Sequence, residues 1–303
     1  MTDREAKVGF VGLGRMGNPM ARRLNAIGVL HRVLDARPEA ARQFAEETGV
    51  AVAHSLGGLA AACDAVVLML PNGTIVREVA LGANEGGDAL VAGAKHGLVV
   101  FDMSSSAPMG TRTLGEELSP HGISLLDAPV SGGVRKAHSG ELAIIAGGDV
   151  QLLERWRWML AAMGKRIFAT GPLGSGHAVK ALNNYVSAAG LAAAAEAVQV
   201  AEAFGVNGEV LVDVLNASTG RNNSTENKFR QYILSGSYDS GFALDLMAKD
   251  LETAAELAAQ SGLREPLLQR CTEAWRQASS ALGAGADHTE YMRYLQQARK
   301  ARG

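Results

Sequence analysis

The chain has 303 residues, more than a single core of ordinary size holds, so two domains are expected. Hydrophobic residues make up 47% and charged residues 20%, as in a soluble globular protein. The net charge of -2 argues against a nucleic-acid footprint or a basic membrane-binding surface.

The two cysteines, Cys63 and Cys271, are far apart and have no C-x-x-C spacing. This argues against a metal site or a disulfide framework and predicts a reducing, cytoplasmic setting. The opening MTDREAKVGF shows no apolar signal core, and the apolar run around Ala189 is interrupted too soon to span a bilayer.

In chain order, the first half alternates. KVGFVGLG reads as a short buried strand ending in glycines, and NPMARRLNAIG as a helix that stops at Gly28. HRVLDA is strand-like. RPEAARQFAEETG is an amphipathic helix with Pro38 near its start and Gly49 at its end. DAVVLMLP, LVVFDMSS, ISLLDAPVSGG and LAIIAGG are further apolar runs of strand length. Strands alternating with helices predict an α/β fold with a doubly wound parallel sheet.

After about residue 170 the strand signals stop. HAVKALNNYVSAAGLAAAAEAVQVAEAFG predicts one helix of roughly 28 residues, on the order of 40 Å, long enough to run along both domains. NGEVLVDVLNAS, ALDLMAKDLETAAELAAQSG and REPLLQRCTEAWRQASSALG are further helices, so the second half reads as all-α. The domains are expected at 1–170 and 171–303. The polar tail YLQQARKARG is expected to fray.

Gly12, Gly14 and Gly17 have G-x-G-x-x-G spacing directly after a strand and before a helix, a dinucleotide-binding signature in this context. Gly12 would make the tight turn, Gly14 would let the backbone approach a pyrophosphate, and Gly17 would let the helix pack on the strand. The helix start would then offer free N–H donors and a positive dipole end. The loop residues Gly12, Leu13, Gly14, Arg15, Met16 and Gly17 are therefore the first cofactor-binding candidates, and Pro19 places the helix start near Gly17.

Asp35 ends the second strand, where a carboxylate accepts from both ribose hydroxyls of NAD and repels the 2′-phosphate of NADP. Arg37 would pair with that phosphate, which leaves NADP open. Other strand ends should line the same crevice: Leu70, Pro71 and Asn72; Ser104, as a cofactor donor or a helix cap; and Ser131, Gly132 and Gly133. The Ser-Gly-Gly turn exposes consecutive backbone N–H groups that suit a substrate carboxylate, or it is an ordinary turn.

Lys180 is the one residue sure to be charged between Pro172 and Glu196. His177, Asn184 and Ser187 share its helix face. A polar stripe on a helix otherwise small and apolar should face a cavity, bulk water or a cofactor. In a dry pocket a lysine can take the proton that an alcohol loses on oxidation. His177 is the rival general base by residue type.

GFVGLGRMGNPMA, LMLPNG, DAPVSGG, GSGHAVKALNN and GFALDLMAKDL, in that order, make the chain resemble the β-hydroxyacid dehydrogenases along nearly its whole length. That group includes the 3-hydroxyisobutyrate dehydrogenases and tartronate semialdehyde reductases. The resemblance implies a Rossmann-type domain, a long interdomain helix, an all-α second domain, and a homodimer or homotetramer. It implies Lys180 as catalytic acid/base supported by Asn184, a carboxylate on Ser131, Gly132 and Gly133, and Lys249 near the nicotinamide with Asp250 beside it. On sequence alone Lys249 and Asp250 look like a solvated helix face.

The resemblance also implies that residues 216–228 supply part of the substrate pocket. Ser218, Thr219, Arg221, Asn222 and Asn223 are polar there. They point to a hydroxylated or doubly anionic β-hydroxy acid, or else form a solvated loop. Imine reductases share the architecture but typically lack the helix lysine. Non-catalytic dinucleotide-binding modules lose it as well and carry basic or reader segments, which this sequence does not show.

Overall fold

The computed structural model describes residues 5–83 and 87–300. The first four residues of the segment read for a signal core, and the last three of the polar tail, lie outside the described residues. The chain divides into two compact units, Met1–Lys180 and Ala181–Gly303.

The first unit runs β1 (Val8–Val11), α1 (Gly17–Ala26), β2 (Leu30–Leu34), α2 (Pro38–Thr48), β3 (Ala51–Val52), α3 (Leu56–Ala62), β4 (Ala65–Leu68), α4 (Gly73–Leu81), β5 (Val99–Asp102), α5 (Pro108–Leu118), β6 (Ser124–Asp127), β7 (Val130–Ser131), α6 (Gly133–Ser139), β8 (Ala143–Gly147), α7 (Val150–Met163) and β9 (Arg166–Gly171). The strands form one sheet in the order β3-β2-β1-β4-β5-β6-β8-β7, with β9 on β8. Strands β1 to β6 pair in parallel, so the strand order reverses between β1 and β4. In a doubly wound sheet ligands bind beyond the carboxyl ends of the strands at that reversal.

The far edge departs from the parallel expectation, because β8 is antiparallel to β6 and β7. The link from β7 to β8 carries only the seven-residue α6, short for a parallel crossover.

Side chains alternate across the sheet with the strand period of two. Val8, Phe10, Ala65, Val67, Val99 and Phe101 pack on one face with Met20, Leu24 and Trp156. Val66, Leu68 and Val100 pack on the other with Leu59, Val76 and Leu114. Both faces are covered, as a parallel sheet requires.

Helix α8 (Ser175–Phe204) has 30 residues and carries the unit boundary within it. The second unit continues with α9 (Gly208–Ala217), α10 (Asn223–Asn227), a π-turn over Phe229–Ile233, α11 (Leu244–Gln260), α12 (Pro266–Leu282) and α13 (Tyr291–Lys300). Leu191, Ala195 and Val198 of α8 pack in its core with Met247, Leu251, Trp275 and Tyr291.

The described part of the polar tail is helical. Residues 291–300 are helical, and Tyr291 stacks on Trp275 with ring centroids 4.6 Å apart. A capping box of Asp287 and Glu290 precedes them. The buried anchors of this helix, Tyr291 and Met292, lie just ahead of the polar tail.

Candidate active site

The glycine loop joins β1 to α1, and each glycine has its own constraint. Gly12 has φ +97°, and a Cβ there would sit 2.3 Å from the Met69 carbonyl oxygen. A Cβ on Gly17 would lie 1.8 Å from the Gly12 carbonyl oxygen. Gly14 is different, because a Cβ there meets nothing within 4 Å. Its backbone therefore borders open space, where a bulky ligand group can approach. The first turn of α1 holds no acidic residue, and no side chain caps its start. Uncapped N–H groups at a positive dipole end, beside an unfilled glycine surface, fit the pyrophosphate of a dinucleotide. Arg15 is exposed and Met16 half-buried at the same turn, while the Leu13 side chain is buried.

Asp35 stands just past β2. One carboxylate oxygen accepts the Leu13 N–H at 2.6 Å, and the other accepts the Arg37 N–H at 2.8 Å. The carboxylate thus braces the glycine loop. The Arg37 side chain is exposed, with Nε 3.4 Å from the same carboxylate.

Beyond β4, Leu70 is half-buried and Pro71 exposed, and Asn72 caps α4 by accepting the Ile75 N–H at 3.0 Å. Ser104 does not cap α5, whose start is Ala107. Its buried Oγ accepts the Leu70 N–H at 2.9 Å, tying the loop after β5 to the loop after β4. Ser131 ends β7, and Gly132 and Gly133 open α6 with φ of +133° and +70°. Both conformations favour glycine. No side chain caps α6.

The start of α8 is fixed by a residue that sequence reading missed. Asp127, at the end of β6, is fully buried, and its two carboxylate oxygens accept the Gly174 and His177 N–H groups, each at 2.8 Å. A strand-end carboxylate thus takes the capping role usually held by a local side chain. Glycine lets the helix come this close: a Cβ on Gly176 would lie 2.2 Å from the Ile145 carbonyl oxygen. The signal was present in DAPVSGG and GSGH, but the pairing spans 50 residues.

His177 is corrected by the same geometry. It is 1% exposed, its Nδ1 is 2.9 Å from Thr111 Oγ1, and its Nε2 lies 3.6 Å from Asp102 Oδ2. It belongs to the interior of the first unit and is not a general base on the Lys180 stripe. Lys180, one turn later, is half-buried.

In the second unit, Asn184 is buried and its Nδ2 donates to Asp250 Oδ2 at 2.5 Å. Lys249 Nζ is 3.4 Å from Asp250 Oδ1. Asp250 is 3% exposed, so the solvated-face reading of this pair is wrong for Asp250. Helical periodicity shows which residues share a face but not which face a neighbouring helix covers.

In residues 216–228 much of the polarity is structural. Asn222 and Thr225 form a capping box for α10, and Asn222 Nδ2 donates to the Gly190 carbonyl at 3.4 Å. Ser218, Thr219, Arg221 and Asn223 are exposed. The residue that reaches the Asn184 stripe is Lys228, whose Nζ donates to Ser187 Oγ at 3.4 Å.

Cys63 and Cys271 are free, and burial pushes their thiols up to about 12 and about 11. Such thiols are poor nucleophiles and poor metal ligands. Among the described residues, no group of three or more His, Cys, Asp or Glu is arranged to hold a metal ion. None of their helices is long and apolar enough to cross a membrane.

Known proteins share this arrangement. Residues 7–171 match the family model of the NAD binding domain of 6-phosphogluconate dehydrogenase. Residues 174–295 match that described as NAD-binding of NADP-dependent 3-hydroxyisobutyrate dehydrogenase. The chain is 34% identical to 2-(hydroxymethyl)glutarate dehydrogenase of Eubacterium barkeri, over 94% of this chain and 93% of that protein. It is 33% identical to 3-sulfolactaldehyde reductase of Escherichia coli, over 98% of this chain and 97% of that protein. Among solved structures, 3-hydroxyisobutyrate dehydrogenase of Mycobacterium tuberculosis with L-serine superposes with a TM-score of 0.86 at 32% identity, covering 96% of this chain and 99% of that one.

Proposed function

The chain belongs to the β-hydroxyacid dehydrogenase family, and from that premise we propose that Lys180 is the acid/base of its reaction, with Asn184 beside it. The enzyme is an NAD(P)-dependent oxidoreductase acting on the CH–OH group of a short β-hydroxy acid. The observation that carries the lysine reading is the placement of one half-buried cation a turn beyond the helix start that Asp127 anchors.

The glycine loop and the start of α1 hold the pyrophosphate, and Asp35 takes the ribose of NAD, with Arg37 leaving room for NADP. Arg15, Met16, Leu70, Pro71 and Asn72 line the cofactor, and Ser104 holds Leu70 in position. Lys249 is a further cofactor candidate on the family's pattern. When bound, the dinucleotide accepts or delivers the hydride. The protein does the rest. Backbone N–H groups at Ser131, Gly132 and Gly133 hold the substrate carboxylate. In oxidation Lys180 Nζ takes the hydroxyl proton; in reduction its ammonium returns the proton and polarises the carbonyl. Asn184, held by Asp250, orients the reacting oxygen without adding charge.

Two relatives are named for substrates with an anionic tail: 2-(hydroxymethyl)glutarate carries two carboxylates, and 3-sulfolactaldehyde carries a sulfonate and an aldehyde. We read this chain's substrate as a polar, hydroxylated or doubly anionic member of the class. The exposed Leu182, Val186, Val200 and Phe204 on α8 support a homodimer or homotetramer. The free cysteines fit a cytoplasmic setting.

A panel of short β-hydroxy acids with NAD and NADP, followed by the absorbance of reduced nicotinamide, tests the reading. Lys180→Ala is expected to lower kcat by about 10²- to 10⁴-fold with cofactor affinity little changed. Turnover within a few-fold of wild type would remove Lys180 from the mechanism.

A further inference from the structure

Lys228 was not marked by any motif, yet it is the cation that α10 brings to the polar stripe of α8. Asn184 and Ser187 stand about 4.5 Å apart along that helix, three residues at about 1.5 Å each. Lys228 Nζ donates to Ser187 Oγ at 3.4 Å. Its backbone is held firmly: its N–H donates to the Ser224 carbonyl at 2.9 Å, and its own carbonyl accepts from Tyr232 and Ile233 at 2.9 and 3.3 Å as the π-turn begins.

Among the described residues, no carboxylate forms an ion pair with Lys228, in contrast to Lys249 with Asp250. Burial draws its ammonium down to about 8, and the more distant Asp287 pulls the other way. The hydroxyl of Ser224, one turn earlier, is buried and has no hydrogen-bond partner. Buried cations in folded proteins are usually paired, so Lys228 with a single long hydroxyl contact is short of an anionic acceptor.

We propose that Lys228 and Ser187 bind a second anionic oxygen group of the substrate, a carboxylate or sulfonate, in addition to the carboxylate of the reacting β-hydroxy acid. This rests on the dehydrogenase reading above and gives its substrate two anionic ends. The second group lies about one helical turn beyond the oxygen that Asn184 orients, so a tail of a few atoms reaches it. Much of the polarity of residues 216–228 that suggested such a substrate is turned to capping; Lys228 supplies the charge.

The test compares three β-hydroxy acids of equal chain length, ending in methyl, carboxylate or sulfonate, on wild type, Lys228→Met, Lys228→Gln and Ser187→Ala. In wild type one charged tail should be preferred, and the preferred one identifies the oxyanion. Lys228→Met should lower kcat/KM for that substrate by about 10- to 100-fold, mainly through KM, with the methyl-tailed substrate changed less than about threefold. Lys228→Gln keeps a donor and guards against a folding defect in the Met variant; it should lose the charged-tail preference as well. Equal losses for all tails, or no charged-tail preference in wild type, would overturn the proposal. Calorimetric titration with glutarate and with butyrate, in the presence of NAD, needs no turnover. If no β-hydroxy acid reacts, the dehydrogenase reading fails. The titration then still decides Lys228, by whether wild type favours glutarate and Lys228→Met does not.

Discussion

The Asp127 carboxylate receives the His177 N–H at 2.8 Å across 50 residues of sequence, and the same carboxylate receives the Gly174 N–H at 2.8 Å. Its two oxygens serve the free N–H groups at the start of the helix that bears Lys180. Asp127→Asn keeps the shape but turns an NH₂ group toward one of these donors. A buried charged hydrogen bond is worth about 1.5–3 kcal/mol, so the thermal midpoint should fall by roughly 3–10 °C. Because the helix start sets the height of Lys180, kcat should fall more than cofactor affinity. Calorimetry together with a cofactor titration checks both. A variant as stable as wild type would show that the helix start is held by other contacts.

Asp35 braces the glycine loop and is proposed to take the cofactor ribose, and its replacement separates the two. The carboxylate holds the Leu13 N–H at 2.6 Å and stands where a 2′-phosphate would be repelled, with Arg37 beside it. Asp35→Ser should raise the ratio of NADP to NAD kcat/KM by about 10- to 100-fold, with some loss of absolute efficiency because the loop loses its brace. Adding Arg37→Ala should cancel most of the gain. An unchanged cofactor ratio in Asp35→Ser would remove Asp35 from the ribose site.

Those two aspartates also show what sequence can and cannot reveal. Asp35 could be singled out as a candidate because its position follows from a local order of strand, glycine turn, helix and strand. Gly12, Gly14 and Gly17 were legible for the same reason. For Lys180 and Asn184 helical periodicity gave a shared face, and the resemblance supplied the roles proposed for them. Asp127 with His177, Asn184 with Asp250, and Lys228 with Ser187 were not legible. They join residues 50, 66 and 41 positions apart, and no short spacing encodes such pairs. His177 was misplaced because the i−3 rule assigns a face to a residue without saying that the first turn is sunk among strand ends.

The two outer roles of the glycine loop can be told apart by alanine. At Gly12 the backbone is left-handed and a Cβ would collide with the Met69 carbonyl, so Gly12→Ala should cost several kcal/mol, about 3 or more, and lower the thermal midpoint of the cofactor-free protein. At Gly14 nothing lies within 4 Å, so Gly14→Ala should leave that midpoint within about 2 °C. It should nevertheless weaken NAD binding by about tenfold or more, because the methyl occupies the space assigned to the pyrophosphate. Differential scanning fluorimetry with and without NAD reads both. Undiminished NAD affinity in Gly14→Ala would place the pyrophosphate elsewhere.

Asp287 should govern part of the acid stability of the second unit. Burial alone would push its carboxyl up. Hydrogen bonds from His288, Thr289 and Ser240 outweigh this and hold it well below the ordinary carboxylate range. A depressed folded pKa means that the unfolded chain binds the proton more readily. The stabilisation is therefore complete above the unfolded value, about 4, and is lost as the pH falls from there through the folded value. Asp287→Asn should be less stable than wild type at neutral pH, and the gap should narrow below about pH 4. Urea midpoints measured from pH 7 to pH 3 report this directly. A constant gap would mean that Asp287 contributes through packing and not through charge.

Asn184 and Asp250 should act as one unit. The amide donates to the buried carboxylate at 2.5 Å, and the other carboxylate oxygen lies 3.4 Å from Lys249 Nζ. Removing either partner breaks this buried hydrogen bond, and loss of Asp250 frees the Asn184 amide from the orientation proposed beside the reacting oxygen. Asn184→Ala and Asp250→Ala should each lower kcat by about 10- to 100-fold, with NAD affinity changed far less. If they act together, the double variant should be only slightly worse than the more damaged single variant, a coupling of about 1–3 kcal/mol in a double-mutant cycle on kcat/KM. Additive losses would mean that Asp250 supports catalysis through Lys249 alone, and that Asn184 holds its orientation without it.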